Sequence, residues 1–187
     1  MNIGVLSLQG NFNEHIKKLK SYDVNAFKVK NKSELFKCDG LILPGGESTT
    51  MSKMLDYKDL RSALINIKDK INFLGTCAGM ILLSKTEGYK NLKTLSIMDF
   101  EVLRNGWGRQ IFSFNDSLET SLSEKSFTGT FIRAPKVTYH SKHLSCLSYY
   151  NDSPVILTDG RHLACSFHIE YSSDNSVYDY FFKLISN

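Results

Sequence analysis

Phe73-Leu74-Gly75-Thr76-Cys77-Ala78-Gly79-Met80-Ile81 reads as strand, tight turn and helix. An apolar run ends at Thr76, and a cysteine with a glycine two residues to either side stands where extended backbone must turn helical. The glycines belong there because strand and helix backbones pass too closely to admit a side chain. This is the cysteine counterpart of the nucleophile elbow, a sharp turn that lifts a reacting group clear of the sheet. At the start of the following helix a Cys77 thiolate would meet unpaired amides and the positive end of the helix dipole. The Ala78 N–H would sit where a developing oxyanion needs a donor. A lone cysteine would favour a packing role, whereas the doubly flanked turn after a strand favours a reacting one.

On either side of this stretch, strands and helices alternate. Residues 3–8 form a short apolar run suited to a strand covered on both faces. After Gln9-Gly10, residues 11–22 place Phe12, Ile16, Leu19 and Tyr22 at helical spacing. Residues 24–29 predict a second strand, and 40–43 a third that ends at Pro44-Gly45-Gly46. Ser48 or Thr49 is placed to cap the next helix, and Leu60, Ala63, Leu64 and Ile67 mark another. Residues 71–76 are the fourth strand, leading into Cys77. The pattern predicts an α/β fold of three layers, a mostly parallel mixed sheet with helices on both faces.

The second half changes character. Residues 97–103, 109–114 and 129–133 read as further strands, and 154–157 with 162–168 as an antiparallel hairpin turning at Asp159-Gly160. Residues 177–185 close the chain as a helix with Tyr178, Phe181, Phe182 and Ile185 on its apolar side. No repeat, low-complexity tract or linker divides the sequence, so a single domain over residues 1–187 is expected.

A cysteine nucleophile needs a base. Of His15, His140, His143, His162 and His168, the last stands out because Glu170 follows two residues later. At a strand end such a pair shares a face, and the carboxylate can orient the imidazole and stabilise its protonated form. His-x-Glu alone is weak evidence; with the elbow it completes a set of nucleophile, base and orienter. Pro44-Gly45-Gly46-Glu47-Ser48-Thr49 follows the third strand, at the sheet edge where α/β folds bind ligands. Its two glycines let backbone N–H groups approach an oxyanion, and the Gly-Lys-Ser/Thr ending of a phosphate loop is absent. The chain has only five arginines, Arg61, Arg104, Arg109, Arg133 and Arg161, against eighteen lysines. Arg104 and Arg133 are candidates for the planar fork that grips a substrate carboxylate, with surface ion pairing an equal alternative.

Composition limits the alternatives. The 187 residues are 42% hydrophobic and 22% charged with a net charge of +4, an ordinary globular balance with core enough to need no staple. The lysines are interspersed rather than massed, which argues against nucleic acid as a partner. No stretch approaches the ~18 apolar residues of a membrane helix. The N-terminus has neither the basic flank nor the cleavage pattern of a signal peptide. Cys38, Cys77, Cys146 and Cys165 are too scattered for a zinc ribbon or disulfide framework, so free thiols in the cytoplasm are expected. His140-Ser141-Lys142-His143 lacks a nearby carboxylate and reads as a surface loop; no metal and no cofactor is expected.

The chain resembles the class I (triad) glutamine amidotransferases, and within them the glutaminase subunits of pyridoxal 5′-phosphate synthase. The resemblance rests on Leu8-Gln9-Gly10, residues 44–50, Gly75-Thr76-Cys77-Ala78-Gly79, Arg104-Asn105 with Gly108-Arg109-Gln110, Phe131-Ile132-Arg133-Ala134-Pro135, and Ser166-Phe167-His168 before Glu170. These blocks run in family order over nearly the whole chain. The resemblance implies a flavodoxin-like sheet and a Cys77, His168, Glu170 triad that hydrolyses L-glutamine through a thioester. It implies glutamine binding by Gly46, Glu47, Ser48, Arg104, Ile132 and Arg133, an oxyanion hole from the backbone of Gly45, Gly46 and Ala78, and Gln9 close to that hole. It further implies ammonia transfer to a (β/α)8-barrel synthase subunit within a large hetero-oligomer, with the glutaminase poorly active until docked. Two residues depart from the family pattern: Ile169 replaces the proline usual between His and Glu, and Trp107 stands where a smaller aromatic is usual. Alternatives are a glutaminase subunit for imidazole glycerol phosphate synthesis, a non-catalytic regulatory subunit on the same fold, or a cysteine peptidase of similar topology.

Overall fold

The computed structural model describes residues 1–107 and 113–187. The first half runs β1 (Asn2–Leu6), α1 (Phe12–Leu19), β2 (Asn25–Val29), α2 (Lys32–Leu35), β3 (Gly40–Leu43), α3 (Ser48–Tyr57), α4 (Arg61–Asn66), β4 (Asn72–Thr76) and α5 (Ala78–Leu83). The second runs β5 (Phe100–Leu103), β6 (Ser113–Leu118), β7 (Phe127–Ile132), β8 (Lys136–His140), β9 (Ser145–Tyr150), β10 (Ser153–Thr158), β11 (Leu163–Cys165), a 3₁₀ turn (Ile169–Tyr171) and α6 (Ser176–Ser186).

Seven strands form the central sheet in the order β2-β1-β3-β4-β11-β10-β9. The first five are mutually parallel, and β10 and β9 extend the edge antiparallel. The hairpin expected at 154–168 is therefore built into the main sheet: β11 pairs with β10 on one side and runs parallel to β4 on the other. Two separate ribbons, β5–β8 and β6–β7, stand off it.

Alternating side chains divide the core in two. Leu41, Leu43 and Phe73 face the cluster packed by α2 to α5, while Ile42 and Leu74, their sequence neighbours, face the cluster packed by α1 and α6. A strand that is apolar at consecutive positions serves both layers, the signature of an inner parallel strand. The three-layer arrangement holds as expected.

Three local expectations change, and a fourth falls partly outside the described residues. Glu47, not Ser48 or Thr49, is the N-cap of α3, because its carboxylate accepts the Thr49 and Thr50 amides at 3.3 and 2.7 Å. Strands β8 and β9, which no prediction covered, flank the loop expected at His140-Ser141-Lys142-His143; His140 ends β8 and residues 141–144 form the turn. Strand β11 stops at Cys165, so His168 and Glu170 are not on a strand; Glu170 lies in the 3₁₀ turn. The start of the strand expected at 109–114, with Gly108, Arg109 and Gln110, lies outside the described residues, and β6 begins at Ser113.

Candidate active site

The carboxyl ends of four neighbouring parallel strands deliver the site. After β1 come Gln9 and Asn11, after β3 Gly45 to Ser48, after β4 Cys77, and after β11 His168 and Glu170. This is the edge at which open α/β sheets place their ligands.

Cys77 makes the elbow. Its backbone is held at φ 49°, ψ −104°, a left-handed value that an L side chain adopts only when its surroundings enforce it. The enforcement is close approach. A Cβ on Gly79 would lie 1.9 Å from the Leu43 carbonyl oxygen, and one on Gly75 would lie 2.6 Å from the Gly79 backbone. The Cys77 N–H is tied to the Cys165 carbonyl at 2.9 Å. All six residues of α5 are buried, so the elbow rests on a helix embedded in the core. The thiol is 5% exposed and contacts the Ile132 carbonyl at 3.5 Å.

His168 reaches Cys77 from the far side. Its amide donates to the Thr130 carbonyl at 2.8 Å, fixing the backbone on β7, and its Nδ1 lies 2.7 Å from Glu170 Oε1. Glu170 is presented by the 3₁₀ turn that Ile169 opens with its side chain in the core, which is how the pair comes together without a strand. Burial disfavours the imidazolium, but hydrogen bonds to Cys77 and Glu170 outweigh it and hold the His168 pKa up at about 10. Burial likewise disfavours the Glu170 carboxylate, but the neighbouring imidazoles of His15 and His168, the latter hydrogen-bonded to it, pull its pKa below the ordinary value. A protonated imidazole is thus poised between sulfur and carboxylate.

A cavity of about 240 Å³ opens over the sulfur. Cys77, His168, Gly46, Glu47, Ser48, Arg104, Ile132 and Arg133 all line it, so the predicted nucleophile, base and ligand-binding residues share one space. Arg104 Nη2 meets Glu47 Oε1 at 3.0 Å, and its guanidinium lies over the Tyr89 ring. Burial raises the Glu47 pKa, yet hydrogen bonds from Thr49 and Thr50 prevail and bring it to about 2. Ser48 is buried with its hydroxyl unpartnered among the described residues. Arg133 sits at φ 47°, immediately after β7. Gly45 packs beneath the His168 ring, where a Cβ would fall 2.3 Å from Cε1, and Ala78 is buried at the first turn of α5. Gln9 Oε1 accepts the Glu47 amide at 2.8 Å, beside Gly46.

Sequence reasoning passed over two residues here. Asn11 is the N-cap of α1 but makes no capping bond; its amide lies 3.4 Å from His168 Nδ1 and 3.5 Å from Glu170 Oε1. A good capping residue that does not cap its helix carries no sequence signature. His15 is fully buried behind Glu170. It shares the face of Phe12, Ile16 and Leu19, so a histidine on an apolar stripe was the available clue. The other histidines stand apart: His162 is buried and accepts the Phe73 amide, its pKa lowered to about 4 by burial, and His140 and His143 lie at the end of β8 and beyond it. Arg61 braces α3 against the loop at Lys93 and Thr94.

The SNO glutamine amidotransferase family matches residues 5–187. A protein of Thermosipho africanus called pyridoxal 5′-phosphate synthase subunit PdxT is 41% identical over 186 residues, 99% of each chain. One of the same name from Oenococcus oeni is 43% identical, covering 98% of this chain and 96% of that one. A solved structure described as a glutamine amidotransferase superposes with a TM-score of 0.93 at 37% identity, covering 99% of both chains. A second glutamine amidotransferase structure, from Thermotoga maritima, is 15% identical with a TM-score of 0.57, covers 91% of this chain and 76% of its own, and shares the fold.

Proposed function

The chain belongs to the SNO glutamine amidotransferase family, and on that premise we propose that it is the glutaminase subunit of a pyridoxal 5′-phosphate synthase. It hydrolyses L-glutamine to glutamate and ammonia and passes the ammonia to the synthase subunit for vitamin B6 formation. The observation that carries the reading is the Cys77 elbow facing a His168 bonded to Glu170 within one amino-acid-sized cavity. That cavity lies below the ~300–1,000 Å³ of pockets for larger ligands, which favours free glutamine over a polypeptide. The names of the relatives favour vitamin B6 over imidazole glycerol phosphate synthesis.

In this reading the Cys77 sulfur attacks the side-chain amide carbon of glutamine. The oxyanion is received by backbone N–H groups of Gly45, Gly46 and Ala78, with Gln9 steadying the loop through the Glu47 amide. His168 gives its proton to the departing nitrogen, and ammonia leaves behind a γ-glutamyl thioester. His168, now neutral, takes a proton from water as that water attacks the thioester, and glutamate departs with the sulfur restored. Glu170 orients the ring throughout. Arg104 and Arg133 hold the substrate's α-carboxylate, while Glu47, Ser48 and Ile132 frame its remaining polar groups.

The whole of residues 1–187 acts as one domain in the cytoplasm, docked on a (β/α)8-barrel synthase within a large hetero-oligomer. Among the described residues no helix is long and apolar enough to cross a membrane. The test is ammonia release from glutamine with and without the synthase subunit. Release that rises on docking and vanishes in Cys77→Ala supports the assignment; release that persists in that variant rejects it.

A further inference from the structure

Glu170 has two carboxylate oxygens, and the catalytic reading uses one. Oε1 receives His168 Nδ1 at 2.7 Å. Oε2 is buried and accepts no hydrogen bond among the described residues, although His15 Nε2 lies 3.4 Å from it with both side chains at 0% exposure. A buried carboxylate oxygen facing an imidazole nitrogen is repelled if that nitrogen presents its lone pair and held if it presents a proton. The other side of His15 decides which. Its Nδ1 is 2.7 Å from the Tyr178 hydroxyl, and among the described residues that hydroxyl has no other hydrogen-bond partner. Tyr178 is itself buried, and burial raises its pKa well above 10, so it stays a donor. A hydroxyl donating into Nδ1 puts the ring proton on Nε2, aimed between Thr76 Oγ1 at 3.2 Å and Glu170 Oε2.

We infer that His15 is a positioning residue for the triad: Tyr178 fixes its Nε2–H tautomer, and that N–H holds the free oxygen of Glu170. The inference rests on the triad reading above. His15 works as a neutral donor, since a second cation against Glu170 would compete with His168 for the same carboxylate. Burial lowers its pKa, which the charge of Glu170 opposes and that of His168 reinforces. Among the described residues, the other titratable groups facing this relay include Cys77 and Cys165 from the sheet, Tyr171 from the turn and Tyr22, whose ring lies 5.9 Å from that of Tyr178 and whose pKa burial raises. Burial raises Cys165 and Tyr171, so neither ionises with His168.

The experiment uses the full chain labelled with ¹⁵N-histidine, together with glutaminase assays in the presence of the synthase subunit. In the native chain His15 is expected as the Nε2–H tautomer at neutral pH; the Nδ1–H tautomer or an imidazolium overturns the inference. His15→Met is expected to lower kcat about tenfold or more at unchanged KM, and to move the His168 titration midpoint down from about 10. His15→Gln, whose amide can present an N–H at the same place, should recover most of both. An unmoved midpoint with unmoved kcat in folded His15→Met overturns the proposal. If that variant does not fold, Tyr178→Phe, which keeps the ring and loses the donor, takes its place. It must mix the His15 tautomers and shift the His168 midpoint in the same direction, and failure to do so overturns the proposal. A native chain that releases no ammonia refutes the glutaminase reading instead, while the tautomer measurement still stands.

Discussion

Cys77 and Cys165 occupy the ends of adjacent parallel strands, one backbone hydrogen bond apart, and have opposite fates. Cys165 lies in register beside Thr76, fully buried among Ile42, Leu74 and Phe167, and burial drives its thiol far above the ordinary range. Cys77, one step further along β4, turns out of the sheet and meets a charged imidazole. The sulfur is the same; the backbone sign at one residue differs. Reactivity here is a property of where the strand ends and how the chain leaves it.

The largest break in that comparison comes from deleting each sulfur. Cys77→Ala is expected to reduce ammonia release by ~10³-fold or more with the fold intact. Cys165→Ala is expected to leave kcat within about threefold while costing ~1–2 kcal/mol in denaturant unfolding, the effect of a small cavity. Equal loss of activity in both would erase the distinction.

Next in size is Gly45→Ala. Its Cβ would fall 2.3 Å from His168 Cε1, so the ring must move while Cys77 stays in place. A displacement of that order costs roughly a hundredfold in kcat. Unchanged steady-state kinetics would show that the imidazole is not the partner of Cys77.

Titration sharpens the contrast further. His168 is raised from its ordinary 6.5 to about 10, so the stability contributed by its ion pair is complete below pH 6.5 and is lost as pH climbs through about 10. Thermal melts across that window should show the decline. In Cys77→Ala, where one of the two supporting hydrogen bonds is gone, the decline should begin at lower pH. The corresponding change at Cys165 should leave the curve where it was.

The smallest expected effect lies at the rim. Glu47→Ala removes the N-cap of α3 and the partner of Arg104, costing ~1 kcal/mol of stability. The proposed role of Arg104 predicts a raised KM for glutamine, read from the same assay.

The parallel half of the molecule was legible because its signals are local. Apolar runs such as Gly40-Leu41-Ile42-Leu43, ended by glycines, specify inner strands, and the Gly-x-Cys-x-Gly spacing specifies the elbow. The second half was less so. Strand β8 is half-exposed and pairs with the distant β5, so no short window announces it. Strand β9 pairs with its sequence neighbour β10 across the tight turn Asn151-Asp152, a local hairpin signal weakened by the half-exposed, irregular pattern of β9. The His168 and Glu170 pairing was read correctly on the wrong premise: a 3₁₀ turn, not a pleat, sets their spacing. Glu47 hid as a cap because glutamate is an uncommon choice there. His15 and Asn11 reach the site through contacts to residues distant in sequence, among them Thr76 and Tyr178 for His15 and Gly45 and His168 for Asn11, information that no spacing rule carries.

Helix α5 has no outward face: each of its six residues is interior, and its Gly79 abuts a carbonyl of β3. Such a segment has almost no room for neutral drift, because any enlargement meets backbone and any polar exchange meets hydrocarbon. The reacting sulfur thus rides on an unyielding axle, while Arg104 and Arg133 reach the same cavity from outside that helix, so that the rim can be altered by substitution without entering the core beneath the sulfur.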